Sequence, residues 1–290
     1  MSYIYALKNI VTKLFSKRPI VQKVNVVRLQ PSELLQGRCA LITGGTSGIG
    51  FAIAQTMLDA GAVVVITSRS ELRLHEACEQ LRNTNPIYSD RVFGYVMDNR
   101  KVNQLKKQFN DILTQLKEKK IDILVNNAGV QSGTFGFTTE EQYDFVLDTN
   151  LKGVYFLSQL VANYMRENHI CGNILNIASS SSLRPANSPY IVSKWGIRGL
   201  TLGLAKMLIP YGIIVNGIAP GPTATPMLSH NESKGYGNDR NPMGRLIAPC
   251  EIANMAVILT SGLSRAIVGD VVYMTGGAGI ITFDDVEYNF

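Results

Sequence analysis

Residues 37–69 read GRCALITGGTSGIGFAIAQTMLDAGAVVVITSR. A short apolar run at about 39–43 is followed by a glycine-rich turn, a helix-length segment to about Ala60 and a second apolar run at about 63–67. That order, strand then helix then strand, is a parallel βαβ unit, and it decides how the rest of the chain is read. Gly44 suits the tight turn, Gly48 permits close backbone approach to a ligand, and Gly50 permits tight packing of the helix. The helix N-terminus behind the turn favours phosphate charge. GGTSGIG (44–50) has no lysine to grip a triphosphate, so the turn is not a Walker-type loop and suits a dinucleotide pyrophosphate instead.

The alternation continues through RVFGYVMD (91–98), IDILVNN (121–127), GNILNIAS (172–179), YGIIVNGIAP (211–220) and DVVYMTGG (270–277), with helix-length segments between most of them. Strands this continuously apolar require cover on both faces. The expected fold is therefore α/β: a single-domain, doubly wound parallel sheet with helices on both faces, spanning 35–280. Residues 1–34 precede it as a basic amphipathic extension, and 281–290 follow as a tail. LSHNESKGYGNDRN (228–241) breaks the rhythm with glycine and polar residues, so 226–245 is read as a mobile substrate loop.

The second strand ends in Ser68 and Arg69, where an NAD site ordinarily places a carboxylate against the adenosine ribose. A hydroxyl and a cation there suit a 2'-phosphate, which favours NADP, with NAD as the alternative. Asp98 ends the third strand, placed to meet the adenine ring. Asn126 to Gly129 end the fourth on the same carboxyl edge. In SPYIVSKWGIRG (188–199), Tyr190 and Lys194 fall one helical turn apart on one face. A lysine ammonium beside the tyrosine favours its phenolate, which prepares an acid/base group. Ser179 reaches the carboxyl edge as a second hydroxyl, with Ser180, Ser181 and Ser182 as rivals. Asn150 is a polar residue within an apolar helix of about 139–167 and requires hydrogen-bond partners.

These residues together resemble the classical short-chain dehydrogenase/reductase family, from about Leu35 to Gly277. The resemblance implies a Rossmann-like fold in which Tyr190 is the acid/base, Lys194 binds ribose and lowers the tyrosine pKa, and Ser179 positions the substrate oxygen. It also implies that Asn150 helps hold a water in the proton relay. The implied cofactor contacts are Thr43, Gly44, Thr46, Ser47, Gly48, Ile49 and Gly50 in the first turn. Ser68, Arg69, Asp98, Asn99, Asn126, Ala128 and Gly129 follow on the next strand ends. Tyr190, Lys194, Pro220, Gly221, Thr223 and Thr225 complete the set. The family also implies a homotetramer built on the helices at about 139–167 and 189–208. Two departures stand out: Ser179 and Tyr190 are two positions closer than is common in the family, and Thr275 replaces a frequent aspartate before the final glycine pair. Trp195, one position past the lysine, is assigned to core or subunit packing.

Composition narrows the function further. The net charge of +6 resides in residues 1–30, which hold Lys8, Lys13, Lys17, Arg18, Lys23 and Arg28 and no acid; the remainder balances 22 basic against 22 acidic side chains. A nucleic-acid surface is thereby disfavoured. Apolar residues of the extension share one helical face, which suggests membrane-surface contact through residues 1–18 or organellar targeting. Cys39, Cys78, Cys171 and Cys250 are scattered, as in a reducing compartment, and the expected location is cytoplasmic. His75, His169 and His230 do not form a metal cluster, so no metal is expected. The expected function is NAD(P)-dependent interconversion of a secondary alcohol and a ketone, with a sugar acid or polyol as substrate. The alternatives are a 3-oxoacyl thioester reductase and a non-catalytic dinucleotide-binding protein.

Overall fold

The computed structural model describes residues 31–117, 119–228 and 235–282. The basic extension up to residue 30, His230 and the tail beyond residue 282 lie outside the described residues, as does part of the substrate loop. Seven parallel strands form one sheet: β1 (Cys39–Thr43), β2 (Val63–Ser68), β3 (Val92–Val96), β4 (Ile123–Asn126), β5 (Asn173–Ile177), β6 (Ile214–Pro220) and β7 (Val271–Met274). Their order is β3-β2-β1-β4-β5-β6-β7. The direction of winding reverses between β1 and β4, whose register places Ala40 beside Ile123 and Leu41 beside Leu124. At such a reversal the loops leaving the two strands diverge and open a crevice at their carboxyl ends.

Helices cover both faces because successive strand side chains point to opposite sides and both sets are apolar. Ala40, Ile42, Val64, Ile66, Ile123 and Val125 pack in one core with helices α1 (Gly48–Asp59), α2 (Glu71–Thr84) and α7 (Pro249–Thr260). Cys39, Leu41, Val65, Leu124, Ile174 and Val215 pack in the other. There they meet α3 (Val102–Leu116), α5 (Gly153–Glu167) and α6 (Pro189–Leu208). At the amino end of the sheet, Arg38 is ion-paired with Asp122 and donates to Asn173 Oδ1 at 2.9 Å, tying β1, β4 and β5 together on the side away from the crevice. Burial raises the Asp122 carboxyl, and the Arg38 charge opposes that shift.

One element differs from the sequence reading. The segment expected as one helix over about 139–167 is broken: α4 (Glu140–Leu147) leads into a π-turn at Asp148–Lys152 before α5 begins. Thr139 caps α4 reciprocally with Gln142. The π-turn is centred on Asn150, and this widening lets its side chain leave the helix for the β4 end.

Candidate active site

A cleft of about 1170 Å³ lies along the carboxyl edge of the sheet. The first turn forms its floor. Gly44 (φ +65°) and Gly48 (φ +55°) adopt backbone conformations that other residues rarely take. A Cβ at Gly44 would sit 2.9 Å from Ala128 Cα, and one at Gly50 would collide with Asn127 Nδ2 and the Gly44 carbonyl. The glycines thus preserve a shallow cradle at the N-terminus of α1.

Most of the residues expected to bind the cofactor line this cleft: Gly44, Thr46, Ser47, Gly48, Ile49 and Gly50 on the floor, then Ser68, Arg69, Asp98 and Asn99 at one end. Ala128, Gly129, Pro220, Gly221, Thr223 and Thr225 line its flank, together with Ser179, Tyr190 and Lys194. Thr43, Asn126 and Asn150 do not line it; they brace it from behind. Thr43 Oγ1 accepts from the backbone N–H groups of Asn127 and Ala128, at 3.0 and 3.1 Å. Asn126 points into the sheet, donating to Ser158 Oγ at 2.9 Å and Asn176 Oδ1 at 2.8 Å.

Asn150 accepts from Val130 N at 2.8 Å and donates to Val130 O at 2.9 Å and to Ser193 Oγ at 3.1 Å. Its side-chain amide is therefore spent on fixing β4's exit to the first turn of α6. Ser193 completes the brace by donating to the Tyr190 carbonyl at 2.6 Å.

Ser188 caps α6 by accepting from the Ile191 N–H at 3.4 Å, and Pro189 occupies its first turn. The cap fixes where the helix begins and hence the direction of Tyr190. Ser179 is the side chain that draws the Tyr190 phenol pKa down, while Ser182 Oγ turns back to the Ser179 carbonyl at 2.7 Å. Ser179, Ser180 and Ser181 all line the cleft, and Ser182 does not. The shortened β5–α6 loop accommodates this through a 3₁₀ turn at Ser180–Leu183.

Burial raises the Tyr190 phenol above its usual value, and the Ser179 hydrogen bond draws it partly back. Burial pushes Lys194 down to about 8. Its Nζ donates to the Ile177 carbonyl at 2.9 Å and lies 5.5 Å from the Tyr190 ring centroid.

The sequence reading missed four contributors. Arg184, 2 % exposed, lines the cleft beyond Ser179 and passes the Gly279 backbone. Arg73, Arg100 and Asn187 also line it. The apolar-run reading ranks strands and passes over isolated arginines in loops, although the cation density of 69–73 and the DNR triplet at 98–100 are visible signals. Asp98 faces Arg100 with both carboxylate oxygens, which holds its pKa below the usual range. Thr275 is buried in an internal turn, where its hydroxyl accepts from Gly277 N at 3.1 Å and its carbonyl accepts from Asn241 Nδ2 at 3.0 Å. No group of three metal-ligating side chains occurs among the described residues. No helix there is long and apolar enough to cross a membrane.

The family model described as short chain dehydrogenase matches residues 38–235. The chain belongs to the short-chain dehydrogenase/reductase family. It is thus placed among oxidoreductases with a nicotinamide-cofactor fold. It is 34 % identical over 250 residues to the 3-oxoacyl-[acyl-carrier-protein] reductase of Aquifex aeolicus, covering 84 % of this chain and 98 % of that one. A putative gluconate dehydrogenase from Agrobacterium tumefaciens superposes with a TM-score of 0.78 at 29 % identity, covering 87 % of this chain and all of the other. A gluconate 5-dehydrogenase from Burkholderia cenocepacia, in complex with NADP and tartrate, gives 0.75 at 30 % identity, covering 85 % and 97 %.

Family membership implies a nicotinamide dinucleotide, and the residues present fit one. The glycine cradle is preserved at a helix N-terminus, and Asn99 Nδ2 is buried in the cleft wall without a hydrogen-bond partner.

Proposed function

We propose that this protein is an NADP-dependent reductase or dehydrogenase acting on a secondary alcohol or ketone, with Tyr190 as the acid/base. The observation that carries the reading is the convergence of Ser179, Tyr190 and Lys194 on the same cleft as the glycine cradle. When bound, the cofactor supplies or accepts hydride at the substrate carbon. Tyr190 gives its proton to the carbonyl oxygen in reduction and removes it in oxidation, and Ser179 holds that oxygen beside the phenol. Lys194, one turn along α6, holds the ribose and contributes positive charge near the phenol. Asn150 and Ser193 fix the start of α6 against β4, which keeps the tyrosine at its station.

A sugar acid or polyol is the substrate class this reading favours. Arg184, Asn187 and Thr134 give the wall beyond Ser179 a cation and neutral polar groups, chemistry that suits a carboxylate and hydroxyls. A 3-oxoacyl thioester is the second reading, supported by the identity to the Aquifex reductase and by the exposed Met227 and Leu228 at the cleft mouth. Arg69 supports NADP, as a cation at the end of β2 where a carboxylate would oppose a 2'-phosphate. The test is a screen of hydroxy acids, polyols, small ketones and acyl thioesters with NADPH/NADP and NADH/NAD, run on wild type and Arg69→Ala. Turnover of hydroxy acids with NADP supports the first reading. Turnover confined to thioesters replaces its substrate, and equal use of both cofactors by wild type overturns the assignment of Arg69.

A further inference from the structure

The outer end of the cleft gathers three arginines, Arg69, Arg73 and Arg100, around Asp98, the one carboxylate among its described lining residues. Arg100 grips that carboxylate. Its Nε donates to both oxygens at 3.0 and 3.2 Å, its Nη2 donates at 2.7 Å, and its backbone N–H donates to Oδ1 at 3.1 Å. The Asp98 side chain is only 14 % exposed, so solvent and salt screen it weakly. Phe145 of α4 organises the group: the guanidinium carbons of Arg69 and Arg100 lie 5.6 and 5.2 Å from its ring centroid. Asp148, the neighbouring acid, is taken by Lys152 at 3.1 Å, which leaves Asp98 as the principal partner of Arg100.

Arg100 is the cation that engages this carboxylate by direct hydrogen bonds. A weakly screened carboxylate beside Arg69 would repel a 2'-phosphate, much as an acid at the end of β2 would. We propose that Arg100 is a second determinant of NADP selectivity and acts by neutralising Asp98, with Phe145 as the positioning residue that keeps Arg69 and Arg100 together. The inference rests on the NADP reading above. It assigns the phosphate contact to Arg69 and gives Arg100 a charge-cancelling role, because its Nε and Nη2 donors are engaged by Asp98.

The test uses two probes that differ only by the 2'-phosphate, adenosine 2',5'-bisphosphate and adenosine 5'-monophosphate. Their affinities for the full chain are measured by calorimetry. Wild type should bind the bisphosphate more tightly. Arg100→Gln should lose roughly tenfold of that preference, with the monophosphate affinity nearly unchanged, as expected when an adjacent like charge is unmasked. Asp98→Asn combined with Arg100→Gln should restore the preference to within about threefold of wild type, since the charge to be masked is gone. A preference left intact in Arg100→Gln overturns the proposal, and so does a double variant that stays as poor as the single one, which would mean direct contact by Arg100. A wild type that does not distinguish the probes overturns the NADP reading itself, and with it this inference. Asp98→Asn alone should keep at least the wild-type preference for the bisphosphate over the monophosphate, because any adenine contact it loses is common to both probes; a lost preference overturns the charge-cancelling role.

Discussion

The indole N–H of Trp195 donates a 2.8 Å hydrogen bond to the carbonyl of Arg184. Trp195 follows Lys194 directly, so on α6 it points about 100° away from the lysine's face. It nevertheless reaches the loop that carries Ser179, because that loop is short and folds down over the start of α6. Arg198 stacks on the outer face of the same indole at 5.6 Å. One side chain outside the proposed chemistry thus fastens the segment on which the proposed oxygen-binding serine sits.

Tyr190→Phe should retain cofactor affinity and lose roughly 10²–10⁴-fold in turnover, the range expected for a general acid–base group. The ring still packs, and only the hydroxyl shared with Ser179 is removed. Ser179→Ala should cost less, roughly 10²-fold, because the tyrosine keeps its proton and only one partner for the oxygen is gone. Steady-state rates alongside quenching of protein fluorescence by NADPH check both. A Tyr190→Phe enzyme with wild-type turnover would remove the tyrosine from the mechanism.

Lys194 should make the fold less stable at neutral pH, and its removal should show this. Its pKa of about 8 in the folded chain, against 10.5 unperturbed, means that folding opposes its protonation. Above pH 10.5 the residue is neutral in both states and costs nothing; as pH falls towards 8 the unfolded chain binds the proton first, and the penalty is complete below 8. The shift corresponds to about 3 kcal/mol. Losing the hydrogen bond to Ile177 returns about 1 kcal/mol of it. Cofactor-free Lys194→Met should therefore melt roughly 4–8 °C above wild type at pH 7. The gain should vanish near pH 10 and reverse above it, where only the lost hydrogen bond remains; a variant less stable than wild type at every pH would refute the account.

Much of the fold was legible because a doubly wound sheet writes itself as apolar runs at regular spacing. β1 and β2 are legible in the 37–69 stretch, and its glycines mark the crevice. The break in the 139–167 helix is not legible, since DTNLK has no proline or glycine before Gly153 and the π-turn goes with a bond from Val130 N to Asn150 across the fold. In the site, residue pairs on one helix were readable by spacing, as with Tyr190 and Lys194. Pairs across loops are not: which of Ser179, Ser180, Ser181 and Ser182 faces the phenol depends on the 3₁₀ turn at Ser180–Leu183, which no spacing announces. The place of Asp98 at the end of its strand is legible and sets it toward the adenine side, whereas its capture by Arg100 depends on side-chain geometry two residues on.

Assembly into a homotetramer, proposed from the family resemblance, has a surface consistent with it. Tyr155 and Phe156 on α5 and Val192, Trp195 and Leu202 on α6 are each 39–50 % exposed, which is a large apolar area to leave in water. Light scattering on a chain beginning near Leu35 should give about four times the monomer mass. Leu202→Arg, which puts a charge on that face, should yield a smaller species with its secondary structure intact. A monomer from the unsubstituted truncated chain would overturn the arrangement.

Trp195→Phe should loosen the β5–α6 loop without touching Tyr190 or Lys194. Phenylalanine keeps a ring for Arg198 to cover but has no N–H, so the Arg184 carbonyl loses its 2.8 Å partner. Removing one such bond costs on the order of 1 kcal/mol, or several-fold in the population of the closed loop. Because that loop carries Arg184 and Ser179 but no residue of the glycine cradle, the loss should fall on substrate. KM should rise about three- to tenfold with a smaller change in kcat, and NADPH affinity should be unchanged. Calorimetry with NADPH checks the cofactor arm, since the variant has lost the chain's single tryptophan. Trp195→His tests the bond itself: a ring N–H restored at that position should recover part of the KM effect. If histidine and phenylalanine raise KM equally, or if NADPH affinity falls in step, Trp195 acts through bulk packing of α6 and not through the loop.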